Sequence, residues 1–178
     1  MINCIVYHCN KLETFTEIKA LNYYTVKFRR LRVDRAHGIA PHKPILLLSI
    51  IELIKSDLLK KNQIYLSVEL IETFLHIWSY LGSESHNPDI SKPFFHLKGD
   101  KFWHLIPNEG FREILNSKVK IKTFAEVKQA IKYAYIDDTL FELLQIPNSR
   151  ENLTYILLNK WFYSKLNQYE ELQNNICR

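Results

Sequence analysis

Pro41–Leu59, "PHKPILLLSIIELIKSDLL", is the most apolar run in the chain. Pro41 and Pro44 stand at its start, where a first helical turn tolerates proline and a helix interior does not. The spacing predicts a helix opening near Pro41. That helix is apolar almost all round, so it belongs at the centre of the core. Directly before it runs "RAHGIAPHKP", Arg35–Pro44, which is basic and carries His37 and His42. A buried helix does not need such a preface.

Working outward, Ile18, Leu21, Tyr24 and Phe28 recur at three or four residues with Leu31 following, which predicts a helix from about Glu13 to Val33. Residues 1–12 have no clear period and read as an N-terminal arm. Downstream, "NQIYLS", Asn62–Ser67, alternates like a strand, and "VELIETFLHIWSYL", Val68–Leu81, is an amphipathic helix. Gly82–Pro93 is a polar loop. "FFHL" and "FWHLI" flank "KGDK" and predict a β-hairpin of Phe94–Leu97 with Phe102–Ile106, since Lys-Gly-Asp-Lys is good turn chemistry. Further helices are predicted at about Glu109–Ser117, Phe124–Tyr133 and Asp138–Gln145. A last strong helix, capped by Asn148 or Ser149, runs to about Leu166. Residues 167–178 form a polar tail. The expectation is a mainly α fold with a small β element: a single compact helical domain over residues 13–166, with a short β-hairpin.

Composition bounds the function classes. An apolar content of 47% in 178 residues supports a real core and excludes disorder, and only four glycines argue against a Gly-rich phosphate loop. No run reaches the roughly 18 uncharged apolar residues of a membrane span. The N-terminus, "MINCIVYHCNK", lacks the basic region and cleavage site of a signal peptide, so a cytoplasmic protein with no membrane partner is expected. Cys4, Cys9 and Cys177 are no disulfide framework.

Charge is more informative in its placement than in its total. Lys27, Arg29, Arg30, Arg32, Arg35 and Lys43 stand against the single Asp34, so the whole formal net charge of +5 sits in residues 27–43. Elsewhere bases and acids cancel. Such concentration points to an anionic partner, of which nucleic acid is the usual one; the alternative is a solvated basic face.

Catalytic and metal constellations are not visible. Cys4, His8 and Cys9 lack a second ligand pair, so no metal or other cofactor is expected. The seven histidines show neither a ββα-metal arrangement nor a triad partner, and no catalysis is expected from this chain alone. His76, among apolar helix residues, reads as a core or boundary histidine, and His104 as a strand residue facing water. Two segments remain as the candidate site. In "RAHGIAPHKP", Arg35, His37, His42 and Lys43 precede a helix whose first-turn N–H groups and dipole favour an anion. In "KPFFHL", a donor-free Pro93 sits between Lys92 and, three residues on, His96.

In this order "YYTVKFRRLRVDRAHGIAPHKPILLLSIIELI" (Tyr23–Ile54), "NQIYLS" and "PFFHLKGDKFWHL" (Pro93–Leu105) resemble the N-terminal region of bacterial HNH restriction endonucleases. More specifically, they resemble the sulfur-binding domain with which type IV restriction enzymes recognise phosphorothioate-modified DNA. The resemblance spans roughly Tyr23–Phe162. It implies a helical domain with a small surface cavity that takes the sulfur of one modified linkage. The family's cavity proline corresponds to Pro93, and its phosphate-approaching histidine and base correspond to His42 and Lys43. Where the family has an aromatic before that proline and a small residue three after it, this chain has Lys92 and His96. The HNH nuclease domain that follows in the family is missing from this sequence, which implies a reader that works with a nuclease partner or a missing C-terminal nuclease domain.

The expected function is a module that binds double-stranded DNA through a phosphorothioate linkage, in restriction or defence. Arg29, Arg30, Arg32, Arg35, His37, His42, Lys43, Lys92, Pro93 and His96 are its expected contacts. The alternatives are a reader of another DNA modification or of unmodified DNA, and a minimal endonuclease using the histidines.

Overall fold

The computed structural model describes residues 2–113 and 123–176, with side chains over 15–113 and 123–174. Helix α1 (Ile2–Arg29) buries Tyr24 and Phe28, and Leu31 beyond its end continues the same stripe. Ile18 is 58% exposed, so the buried face begins later than the periodicity suggests. Residues 2–12 belong to this helix rather than to a separate arm, and it ends at Arg29, short of Val33. Its last turn carries Lys27 and Arg29, which suit the negative end of the helix dipole. There the indole N–H of Trp161 donates to the Phe28 carbonyl at 2.8 Å, serving one of the carbonyls a helix end leaves unpaired.

Helix α2 (His42–Lys55) opens after Pro41 as the prolines predict, and only Glu52 and Lys55 of it escape burial. The one hydroxyl in its apolar run is satisfied locally, Ser49 Oγ donating to the Ile45 carbonyl at 2.8 Å. Helix α3 (Val68–Leu81) packs on α2 and buries Leu70, Phe74, Ile77, Trp78 and Leu81, and Ser67 caps it by accepting from the Leu70 N–H. His76 of this helix is exposed, contrary to its expected place in or beside the core.

The predicted hairpin is not formed by Phe94–Leu97. That segment belongs to helix α4 (Ser91–His96) and a following 3-10 turn, Leu97–Asp100. Phe94, Phe95 and Leu97 are all buried. Successive strand residues face opposite ways, so a strand at this edge would expose one of the phenylalanines, whereas a helical turn buries both. Asp89 starts the turn by accepting from the Ser91 N–H at 3.0 Å. Lys101, at φ 65°, then takes the left-handed conformation that turns the chain into strand β1 (Trp103–Pro107).

The partner of β1 lies far along the sequence. After helix α5 (Phe124–Ala130), strand β2 (Ile131–Ile136) pairs antiparallel with β1, Trp103 opposite Ile136 and Leu105 opposite Ala134. The helix expected over Phe124–Tyr133 therefore stops at Ala130, where the β-branched and aromatic run "IKYAYI" takes over. Ile64 of the strand-like "NQIYLS" adds a single bridge to Ala134. Of the helix expected at Glu109–Ser117, Glu109 and Gly110 form a turn instead and residues 112–113 are helical, while residues 114–117 lie outside the described residues.

Helix α6 (Asp138–Gln145) matches its prediction. Helix α7 (Pro147–Trp161) starts with Pro147 in its first turn rather than with an Asn148 or Ser149 cap, and it stops before Phe162. A 3-10 turn, Tyr163–Lys165, leads into helix α8 (Leu166–Ile176), so the expected polar tail is helical and anchors itself by fully buried Leu172. The fold is mainly α with one small antiparallel β element, and the described residues share one hydrophobic core. No helix among them is long and apolar enough to cross a membrane.

Candidate functional site

The link between α1 and α2, residues 30–41, is shaped by Asp34. Its Oδ1 accepts from the Ala36 N–H at 3.0 Å and its carbonyl from the Ala40 N–H at 2.9 Å. Gly38, at φ 92°, supplies the left-handed step that closes the loop. The lone acid of the basic stretch is thus a loop-former, and the Ala36 amide holds its carboxyl below the usual carboxylate range.

This loop, the first turn of α2 and the first turn of α4 enclose a cavity of about 770 Å³. Its apolar wall is Val33, Ala40 and Pro93, with Gly99 beside them. Cations reach it from all three elements: Arg32 from the loop, Lys43 from α2 and Lys92 from α4. His42, His86 and His96 complete the lining with Asp34. Six of the ten sequence-predicted residues, Arg32, His42, Lys43, Lys92, Pro93 and His96, therefore meet in one place. Arg29 and Arg30 at the end of α1, and Arg35 and His37 on the loop, are exposed but outside the cavity wall.

The three cations differ in availability. Arg32 and Lys92 are exposed, and Lys92 lies 3.7 Å from Asp89. Lys43 is not free: its Nζ stands 2.6 Å from Asp100 Oδ2, and the two side chains are only 10% and 4% exposed. The other carboxylate oxygen of Asp100 accepts from the Arg32 N–H at 2.9 Å. Asp100 thus binds both the loop and α2 to the turn after α4. In the sequence Asp100 lies in Lys-Gly-Asp-Lys, which predicts a hairpin corner and gives no sign of this pairing. A lysine in an otherwise apolar helix was the available signal, because a buried ammonium demands a carboxylate.

The histidines are held in place as well. His42 Nε2 donates to the Asn87 carbonyl at 2.8 Å, and its ring lies 4.7 Å from the Trp78 ring and 5.6 Å from His86. His86 Nδ1 shares hydrogen bonds with Ser83 at 2.7 Å and Ser85 at 3.0 Å. Burial pushes the His42 imidazole below its ordinary value, and the Asn87 carbonyl opposes that shift. Burial also lowers His96, reinforced by Lys43 and Lys98. In the free protein both imidazoles favour the neutral form.

Elsewhere, His104 does not simply face water. It pairs with Asp137 at 2.7 Å, stacks on Tyr135 at 4.8 Å, and shares Asp137 with the Tyr24 hydroxyl, 3.0 Å from the second oxygen. Cys4, His8 and Cys9 lie where side chains are not described, and Cys177 is outside the described residues. Among the described residues no group of three or more histidine, cysteine or acidic side chains is arranged to hold a metal ion.

No protein-family model matches the chain, and no curated protein is detectably similar to it in sequence. The functional reading rests on the cavity.

Proposed function

We propose that this chain is a DNA-binding module that reads double-stranded DNA through a modified backbone linkage, a phosphorothioate, as the recognition part of a nuclease system. The observation that carries the reading is the meeting of "RAHGIAPHKP" and "KPFFH" on one cavity, with a donor-free proline in an apolar wall and exposed cations at its edge. Sulfur in place of a non-bridging oxygen is larger, softer and a poorer hydrogen-bond acceptor. Against Val33, Ala40 and Pro93 it loses little, whereas an ordinary oxygen there sheds its water and gains no donor. The linkage keeps its negative charge, which Arg32 and Lys92 are placed to meet. A cavity of about 770 Å³ holds more than one atom, so the flanking sugar–phosphate enters with the sulfur. Arg29, Arg30 and Arg35 supply the sequence-independent attraction to the neighbouring backbone.

The test is a fluorescence anisotropy titration of two duplexes identical but for one sulfur. The reading expects the sulfur-bearing duplex to bind at least roughly tenfold tighter, a difference of about 1.4 kcal/mol. Equal binding would instead favour a reader of another modification or of unmodified DNA. No binding at low salt would reject nucleic acid altogether.

A further inference from the structure

We infer that Asp100 is a specificity-determining residue of the cavity: by neutralising Lys43 and fastening the Arg32 backbone, it keeps hard positive charge off the cavity floor. The inference rests on the reading that the cavity takes a sulfur-bearing linkage. It begins from an economy of charge. Lys43 lines the cavity, yet its ammonium is engaged by Asp100 at 2.6 Å in a nearly dry setting. The carboxylate sits 57 residues away in sequence and lies in the 3-10 turn that follows Pro93 and His96. The segment that carries Pro93 therefore also carries the group that silences the floor cation.

The consequence is selective rather than merely stabilising. An uncompensated ammonium donates strong hydrogen bonds to a compact, well-solvated oxygen and weaker ones to a diffuse sulfur. A free Lys43 would therefore draw the ordinary phosphate in. Paired with Asp100, it leaves the floor formally neutral, and the apolar wall decides between the two atoms. The exposed Arg32 and Lys92 hold the charge of either linkage and do not discriminate. Asp100 Oδ1 adds a geometric part, since its bond to the Arg32 N–H fixes where the loop meets the wall.

The experiment measures the affinity ratio of sulfur-bearing to ordinary duplex for the wild type, Asp100→Asn, and the double variant Lys43→Gln with Asp100→Asn. Asp100→Asn leaves Lys43 uncompensated, and the ratio is expected to fall by roughly tenfold, chiefly because ordinary DNA binds better. The double variant restores a neutral pair of similar shape, and its ratio is expected to return to near the wild-type value. A retained ratio in Asp100→Asn, or an equal loss in both variants, would overturn the inference and make Asp100 structural only. If Asp100→Asn does not fold, the double variant decides by itself: a near wild-type ratio supports the neutral floor, and a lost ratio rejects it. The wild-type control separates the two levels. A wild type with no sulfur preference brings down the function and this inference together, whereas a selective wild type with an equally selective Asp100→Asn brings down only the latter.

Discussion

The His42 imidazole donates through Nε2 to the Asn87 carbonyl at 2.8 Å, so the first residue of α2 holds the loop that leads into α4 and Pro93. The same ring packs on Trp78. His42 thereby joins the two halves of the cavity before any ligand arrives. His42→Ala removes both contacts and leaves the Asn87 carbonyl with the Asp89 N–H, which also donates to it at 2.8 Å. The lost hydrogen bond and the lost ring packing together are expected to cost about 1–3 kcal/mol of stability, visible as a lower midpoint in urea unfolding. Both duplexes, modified and unmodified, should bind more weakly because the wall itself loosens.

Gly82 makes a related prediction. It ends α3, and a Cβ built on it would collide with the Trp78 indole and with the Trp78 carbonyl. Its own carbonyl accepts from Lys165 Nζ, which limits retreat of the backbone. Gly82→Ala must therefore displace Trp78, the platform under His42, at an expected cost of about 1–3 kcal/mol. Thermal melting checks the stability, and near-ultraviolet circular dichroism checks the indole environment.

Much of this arrangement was legible in the sequence, and the exceptions share a cause. Pro41 and Pro44 located α2, the Val68–Leu81 periodicity located α3, and the two basic, proline-bearing segments located the cavity. What failed depended on distant partners. β2 became a strand because Trp103–Pro107 lies beside it, and nothing local in "IKYAYI" names that partner. "PFFH" became a helix because both phenylalanines found core to pack against. Asp100 looks like a turn residue in the sequence because its partner, Lys43, lies on another element. Local periodicity reports which face is buried; it does not report against what.

Acidity should move stability and binding in opposite directions. In the free fold, burial depresses His42 and His96, with His86 and Lys92 facing the first, against Asp89 and the Asn87 carbonyl, and Lys43 and Lys98 facing the second. Below the ordinary histidine value of 6.5 the unfolded chain then binds more protons than the folded one, so stability falls as pH drops from there toward the depressed folded values. An anionic linkage in the cavity favours the protonated imidazoles, so DNA binding takes up protons and tightens over the same window. Melting temperature and anisotropy titrations at stepped pH should show these opposed trends. His42→Gln and His96→Gln should each flatten both curves.

Salt separates the general attraction from the cavity. Arg29, Arg30 and Arg35 are exposed and outside the cavity wall. If each neutralises a phosphate, the logarithmic salt slope should become shallower by about 0.9 for every arginine removed. Arg30→Ala should weaken modified and unmodified DNA alike and leave their ratio unchanged. A slope that stays at the wild-type value after Arg29→Ala and Arg30→Ala together would mean that these arginines face solvent only.

Pro93 should act on selectivity and leave the salt slope alone. It is buried in the cavity wall at the third position of α4. At that position any other residue presents a backbone N–H, one of the first-turn donors that no intrahelical carbonyl serves. Proline has none, so the wall offers nothing to an ordinary oxygen. Pro93→Ala therefore introduces a donor as well as removing ring carbons, and both changes favour oxygen over sulfur. The affinity ratio should drop by roughly tenfold, the scale of one hydrogen bond to a charged group, with the unmodified duplex binding as well as before or better. His96→Ala offers the contrasting case. His96 lines the cavity edge half-covered, and that partial burial favours the neutral form, so its removal opens the wall without adding a donor, and the ratio should hold or rise. Circular dichroism and melting establish that each variant is folded. A folded Pro93→Ala with an unchanged ratio would place the sulfur contact away from this wall.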